Sequence, residues 1–398
     1  MIQTSPPSPA RLRVMFYLPV VTPWWFANIV VHLIRVMARD HDVHVLVPPL
    51  WRGTGMGPDQ LALVDDLTHV QWHLLDGPDH PRLRDDASGE DDLFEFVAAI
   101  EPDLTLCRSA DIKSPAHFPG VVRYIMESAA PPLETAPAWV SLTQGLFDYG
   151  VMPEITQTQA ARLDAFATTF DYALSTGGFG SRASWLEANG LDKDAMIIGL
   201  PLEYEHEENF FGQHHRYPDN PSLIAGVADA LPDGAVLAVT NHPLNELYGD
   251  NSGIEAALEG LGSRAAMLPS TSHAGSATLA LAKHCDGMIV GNSKSWSACA
   301  AYGTPLMRLS GFATGGWANA YTSLDAFFAD LERGAAITAD PAKARRWFAY
   351  HLLDQAFDPA DPSLQASDII NRIAKPVDPA RWVPALSRHH SQGLEQAA

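Results

Sequence analysis

LRVMFYLPVVTPWWFANIVVHLIRVMARDHDVHVLV, residues 12–47, decides the fold class. Residues 12–18 form a short apolar run that Pro19 and Pro23 end, as expected for a buried strand. From 24 to 38 the apolar residues recur at helical spacing, and 42–47, DVHVLV, is again a short apolar run. Strand, helix and strand in succession make a β-α-β opening, which a parallel sheet requires.

The alternation continues outward from that stretch. Further strands are expected at 70–75, 103–107, 121–126 and 139–142, with helices at 91–100 and 156–170. A strand at 172–175 and a helix at 177–189 follow. Residues 195–201 and the acidic, aromatic run 203–217 read as a poor core element, and the inter-domain connection is expected there. A second series then gives strands at 235–240, 265–268, 287–290 and 305–309. Its helices are at 222–231, 254–261, 276–283, 295–302 and 324–333. The class is α/β, with two Rossmann-like halves: domains at 11–190 and 191–341, helices at 342–375, and a frayed tail at 376–398.

Composition narrows the function. Lys and Arg number 26 against 47 Asp and Glu, a formal charge of −21, so no general positive field exists to hold a nucleic-acid backbone. Cys107, Cys285 and Cys299 lie far apart without CxxC spacing, which reads as a reduced, cytoplasmic chain. The apolar stretch 14–31 is interrupted by Pro19, Pro23 and Asn28, against a membrane span, and no cleavage pattern follows it.

The loop after the first strand, Pro19-Val20-Val21-Thr22-Pro23-Trp24-Trp25, has no glycine for close pyrophosphate approach, and no Walker loop occurs. Trp24 and Trp25 either pack against neighbouring loops or form a platform for an acceptor sugar. The second half carries the more informative pair. Thr240-Asn241-His242-Pro243 follows one expected strand, and Gly291-Asn292-Ser293-Lys294-Ser295-Trp296-Ser297 follows another and opens a helix. Amides and hydroxyls at such a helix start suit a phosphate, and His242 could donate to the same group.

In that order, ending in Ala301-Tyr302-Gly303-Thr304-Pro305, these motifs resemble the C-terminal half of GT-B glycosyltransferases that use CMP-activated sugars. Capsule-type Kdo transferases and bacterial sialyltransferases belong there, and CDP-glycerol glycerophosphotransferases share a similar pairing. The resemblance spans 235–311. It implies two Rossmann-like domains facing a cleft, with the C-terminal helices packing back on the first. It also implies an inverting transfer of Kdo or another acidic sugar to a surface-glycan or glycolipid acceptor of a capsule or lipopolysaccharide, at the cytoplasmic face of the membrane, and the transfer is expected to be metal-independent, with His242 and the helix-start N–H groups in place of a divalent ion. The nucleotide sugar is then a substrate and no cofactor is needed. His242, Pro243, Asn292, Ser293, Lys294 and Ser295 become nucleotide or phosphate contacts, and Gly303 marks the turn after the helix.

The first half should supply the acceptor's general base. Glu127, Asp148 and Glu154 are the candidates, and Asp148 is favoured because its Gly-flanked aromatic loop should be rigid and partly desolvated, raising its pKa. The Asp/Glu-Asp-Gly triplet of many sialyltransferases is absent. Arg108, Lys113, Arg123 and Arg308 are possible partners for a sugar carboxylate. Gln213-His214-His215-Arg216 reads as solvated linker, since adjacent histidines without a ligand frame are poor metal evidence. The alternatives are a UDP- or GDP-hexose transferase, a CDP-polyol phosphotransferase, and a non-catalytic two-lobed binding protein.

Overall fold

The computed structural model describes residues 11–75, 91–133, 135–171, 179–206, 209–269 and 276–396. The chain divides into two compact units. Unit one takes Met1–Glu127, Ala138–Leu146 and Phe357–Lys375, and unit two takes Ser128–Pro137, Phe147–Ala356 and Pro376–Ala398. This differs from the division read from sequence: 147–190 and 342–356 go with unit two, and only 357–375 returns to unit one.

Unit one is built on strands β1 (Arg13–Tyr17), β2 (Asp42–Val47), β3 (Gln71–Leu74), β4 (Leu104–Cys107), β5 (Val121–Glu127) and β6 (Val140–Thr143). Their order is β3-β2-β1-β4-β5-β6, parallel except for antiparallel β6. The opening β-α-β unit is present, and four of the five β1 side chains are buried because both faces of the strand are covered. Its crossover helix has Thr22 as N-cap and Pro23 in the first turn, and widens into a π-helical turn over Phe26–Val30 before Val31–Ala38. The returning segment exchanges two backbone hydrogen bonds between Phe357 and Val140, each 3.0 Å, and places Leu364 and Ile369 in the same core.

Unit two holds β7 (Met196–Pro201), β8 (Ala235–Thr240), β9 (Ala265–Met267), β10 (Gly287–Val290) and β11 (Leu306–Arg308). The order is β11-β10-β7-β8-β9, parallel throughout. The two-unit, parallel α/β class is therefore as expected, with one internal correction. Residues 195–201 are not a connection: Met196–Pro201 is the central strand of the second sheet, paired with β8 and β10. Its apolar core, Ile-Ile-Gly-Leu, is what a strand buried on both faces requires. Gly199 is part of that packing, since a Cβ there would meet Leu281 at 2.9 Å.

The tail is also more ordered than expected. A helix runs over Trp382–Gln396. It is anchored by Asp354, a buried carboxylate that accepts from Trp382 Nε1, from Arg381 Nε at 2.8 Å and from the Asp378 amide at 3.0 Å. Trp382 is fully buried. The expected strand at 172–175 lies outside the described residues. Among the described residues no helix is long and apolar enough to cross a membrane.

Candidate functional site

A doubly wound sheet opens a crevice at the carboxyl ends of the two strands where the order reverses, because the loops leaving them turn to opposite faces. In unit two that point lies between β7 and β10. The loop after β7 begins at Leu202-Glu203-Tyr204-Glu205, and the loop after β10 is Gly291–Ser295, so the Ser-rich motif stands at the reversal.

The two loops are joined by a carboxylate. Glu203 Oε1 accepts the Asn292 amide at 2.8 Å. A Cβ at 291 would lie 1.9 Å from that oxygen, so any larger residue there would push the Glu203 carboxylate aside. Asn292 is then fixed on every side: Tyr149 donates to its carbonyl at 2.8 Å, Ser310 to its Oδ1 at 2.6 Å, and its Nδ2 donates to the His214 carbonyl at 3.2 Å. The Glu203 loop is clamped in turn by two buried asparagines. Asn220 accepts from the Glu203 amide and donates to its carbonyl, while Asn245 donates to the same carbonyl and accepts from the Glu205 amide at 2.9 Å.

His215 corrects the linker reading of 213–216. Its Nε2 lies 3.6 Å from Glu203 Oε2, with both side chains largely buried. The His214 ring packs edge-on against Phe312. A cavity of about 30 Å³, room for a water or two, is lined here by Glu203, Glu205, His215, Arg216, Asp219 and Asn220. Burial raises the Glu203 pKa, opposed by His215, the Asn292 amide and Arg308.

His242 stands at the carboxyl end of β8, on the other side of β7. Its Nδ1 accepts the Leu244 amide at 3.2 Å, capping the helix Pro243–Tyr248, so in the neutral ring the proton belongs on Nε2. The ring stacks on Tyr204 at 5.2 Å between centroids, and burial lowers its pKa. The imidazole is thus a neutral hydrogen-bond donor at the same sheet edge as the Asn292 turn.

The serines are less open than expected. Ser293 and Ser295 hydroxyls bond one another at 3.0 Å, and Ser295 is buried. The following helix, Trp296–Tyr302, ends on Gly303 with φ +74°, the left-handed cap expected of that glycine. Lys294 is half-buried, and its carbonyl accepts both the amide and the hydroxyl of Ser297.

Arg308, at the end of β11, is a strut. Its guanidinium donates to the carbonyls of Phe147 and Ala313, each at 2.6 Å, to Thr314 Oγ1 and to Ser310, and lies over the Tyr149 ring. Burial lowers its pKa to about 10, so it stays charged at neutral pH. Asp148 belongs to this assembly in unit two, not to unit one, and its Oδ1 accepts the Ala313 amide at 3.0 Å. Burial raises the carboxylate pKa at Glu203, which the sequence reading had placed in a linker.

The remaining candidates stand in unit one, apart from Glu154, which lies in unit two. Arg108 lies 3.7 Å over the ring of buried Trp25, and burial lowers its pKa to about 9. Trp24 is 47% exposed, so the two tryptophans divide between surface and core. Arg123, the third residue of β5, donates to the Val122 carbonyl, and Glu127 closes that strand opposite Val140. The Lys113 amide is held by Asp111 Oδ1 at 2.8 Å.

Two Asp-x-Asp triplets exist, Asp40-His41-Asp42 and Asp192-Lys193-Asp194. The first stands at the amino end of β2 in unit one and the second at the amino end of β7 in unit two, the end of that strand away from the Glu203 loop, so the expectation of a metal-independent transfer does not rest on the absence of such a triplet. Among the described residues, no three His, Cys, Asp or Glu side chains group as metal ligands.

Sequence reasoning missed Glu203, Asn220, Asn245, Tyr149, His215 and Ser310. The available signal was an apolar run ending in Pro201-Leu202 and followed at once by Glu203-Tyr204-Glu205-His206, a strand end carrying titratable groups.

No family model and no curated protein matches the chain. Among solved structures it is similar to a lipopolysaccharide outer-core galactosyltransferase, WaaB, with 9% identity, 92% of this chain and 100% of that one covered, and a TM-score of 0.36. It is similar to a glycosyltransferase from Rickettsia africae at 9% identity, 92% and 97% coverage and TM-score 0.33. A third is Anabaena Alr3699/HepE in complex with UDP and glucose, at 11% identity, 97% and 100% coverage and TM-score 0.31. Likenesses this distant assign no residue a role.

Proposed function

We propose that unit two is the donor-binding half of an inverting glycosyltransferase of GT-B type, and that its donor is a CMP-linked acidic sugar such as Kdo. The observation that supports this most is the placement of both motifs: His242-Pro243 and Gly291–Ser295 end parallel strands of one sheet, the second at its order reversal. Cytidine and the acidic sugar rest on the motif resemblance alone.

In this reading the Ser293–Ser295 part of the turn meets the nucleotide phosphate through its hydroxyls, which exchange their mutual bond for it, while the Asn292 amide stays with Glu203 and the Ser295 amide with Ser293. His242 contributes its Nε2 proton as charge develops on the departing phosphate. Positive potential comes from Lys294 and the nearby buried Arg308, whose N–H groups already serve carbonyls; it acts through its field more than as a fork on the sugar carboxylate. The transfer is read as metal-independent. For the acceptor base, Asp148, Glu127 and Glu154 are joined by Asp111, a buried carboxylate in the loop after β4.

A thermal-shift panel of CMP, CDP, UDP, ADP and GDP tests the donor, since a ligand that binds only the native state raises apparent stability. Stabilisation by cytidine nucleotides is expected. Stabilisation by UDP or ADP alone would replace the CMP assignment while keeping the transferase reading. His242→Ala should fold and lose about 100-fold in turnover, the scale of one catalytic donor; unchanged turnover would remove His242 from the site.

A further inference from the structure

Resting on that reading, we propose that Glu203 is the positioning residue of the nucleotide site and takes up a proton when an anionic nucleotide phosphate seats on the Gly291–Ser295 turn. The carboxylate reaches under the turn from the neighbouring strand, bonds the Asn292 amide at 2.8 Å, and occupies the space a residue-291 Cβ would need. The backbone of the turn at Asn292 is thus held by Glu203. Ionised, however, the same group puts a negative charge beneath the place where the phosphate binds, and in a buried setting that repulsion is poorly screened.

The neighbours do not neutralise it fully. His215 faces Glu203 from the 210–215 segment at 3.6 Å, Arg308 from β11 and Tyr149 from the 147–150 loop, while Glu205 and Asp219 add acid to the same cavity and Arg216 adds a cation. Burial already favours the neutral acid. A protonated Glu203 keeps its second oxygen as acceptor for the Asn292 amide and can direct its O–H elsewhere, so the turn survives the change. The bond geometry is kept and the charge is removed. Binding an anion and binding a proton at Glu203 are then mutually favourable, as linkage demands.

Isothermal titration of the full chain tests this. The tightest-binding of CMP, CDP, UDP, ADP and GDP is titrated at about pH 6.5 in buffers of different ionisation enthalpy, which counts protons taken up. Glu203→Gln keeps an acceptor for the Asn292 amide but cannot titrate; subtracting it cancels protonation of the ligand itself. We expect a measurable fraction of a proton taken up by the natural chain, lost in E203Q and retained in His215→Gln. Uptake unchanged in E203Q, or lost only in H215Q, overturns the proposal while leaving the nucleotide site standing. No heat with any of the five nucleotides overturns the site reading and the proposal with it. Should E203Q fail to fold, affinity against pH in H215Q and His242→Gln carries the test: binding that tightens toward acid in both supports Glu203, and a flat profile in both overturns it.

Discussion

The two sheets reverse their strand order at equivalent places, between β1 and β4 in unit one and between β7 and β10 in unit two, yet the side chains at the two reversals are employed differently. At the reversal of unit two the polar groups are partnered, Glu203 with Asn292, Asn292 with Tyr149 and Ser310, the 203–205 loop with Asn220 and Asn245, although Arg308 Nε farther along the sheet is buried without a hydrogen-bond partner among the described residues. In unit one Asp111 Oδ1 accepts the Lys113 and Ser114 amides, but Asp111 Oδ2, Thr105 Oγ1 and Ser114 Oγ are buried without a hydrogen-bond partner among the described residues. A finished network fixes a loop before any ligand arrives, whereas orphaned buried oxygens carry a desolvation cost that a ligand hydroxyl or an ordered water offsets. The contrast predicts a rigid, preorganised phosphate turn in unit two and a reversal in unit one that is completed only when something polar binds.

The comparison can be broken most forcefully at Arg308. Arg308→Met removes donors from at least two backbone carbonyls and two hydroxyls at once, and the expected loss is about 3–4 kcal/mol in urea unfolding. A loss under about 1 kcal/mol would mean that the 147–149 and 310–314 segments do not depend on it. Next is Gly291→Ala, which forces Glu203 off Asn292; overpacking should cost about 2 kcal/mol and weaken nucleotide binding as well. Asp111→Ala is the counterpart in unit one. It gives up two amide bonds, should cost about 1 kcal/mol, and should leave nucleotide affinity as it was. Nucleotide affinity lost in D111A but kept in G291A would invert the roles assigned to the two reversals.

The smallest effects are in pH dependence. Glu203 has its pKa raised by burial, so between the unfolded carboxylate value and its own, the native state holds the extra proton. Its contribution to stability therefore falls as pH rises through that window, and E203Q should abolish the fall. His242 behaves oppositely. Its pKa is lowered, so the unfolded chain binds more protons, and the stability present above the unfolded histidine value is lost as pH falls through the folded one. Melting curves of E203Q and H242Q across pH 4–8 would show slopes changed in opposite directions.

Much of the fold was legible because short apolar runs and helical spacing alternate cleanly: all six strands of unit one, and four of the five in unit two, stand where the sequence places them. The fifth, Met196–Pro201, was obscured by its surroundings. An apolar run followed directly by Glu203-Tyr204-Glu205 looks like a linker until it is seen that central parallel strands end abruptly in functional loops. For the site, His242 and the Ser-rich turn could be found because each follows a recognisable strand. Glu203 could not be assigned, since its partner lies 89 residues away and no local pattern encodes that pairing. The helix at 382–396 was hidden for a similar reason, its anchor being Asp354 in a different element.

Nucleotide-induced thermal shift, measured on the natural chain and on Gly291→Ala side by side, addresses the central claim that the β7/β10 reversal is the donor-nucleotide site. Stabilisation of the natural chain by a cytidine nucleotide, with the shift lost or greatly reduced in G291A and intact in D111A, is the predicted result. A full shift persisting in G291A, or no shift with any nucleotide, would contradict it.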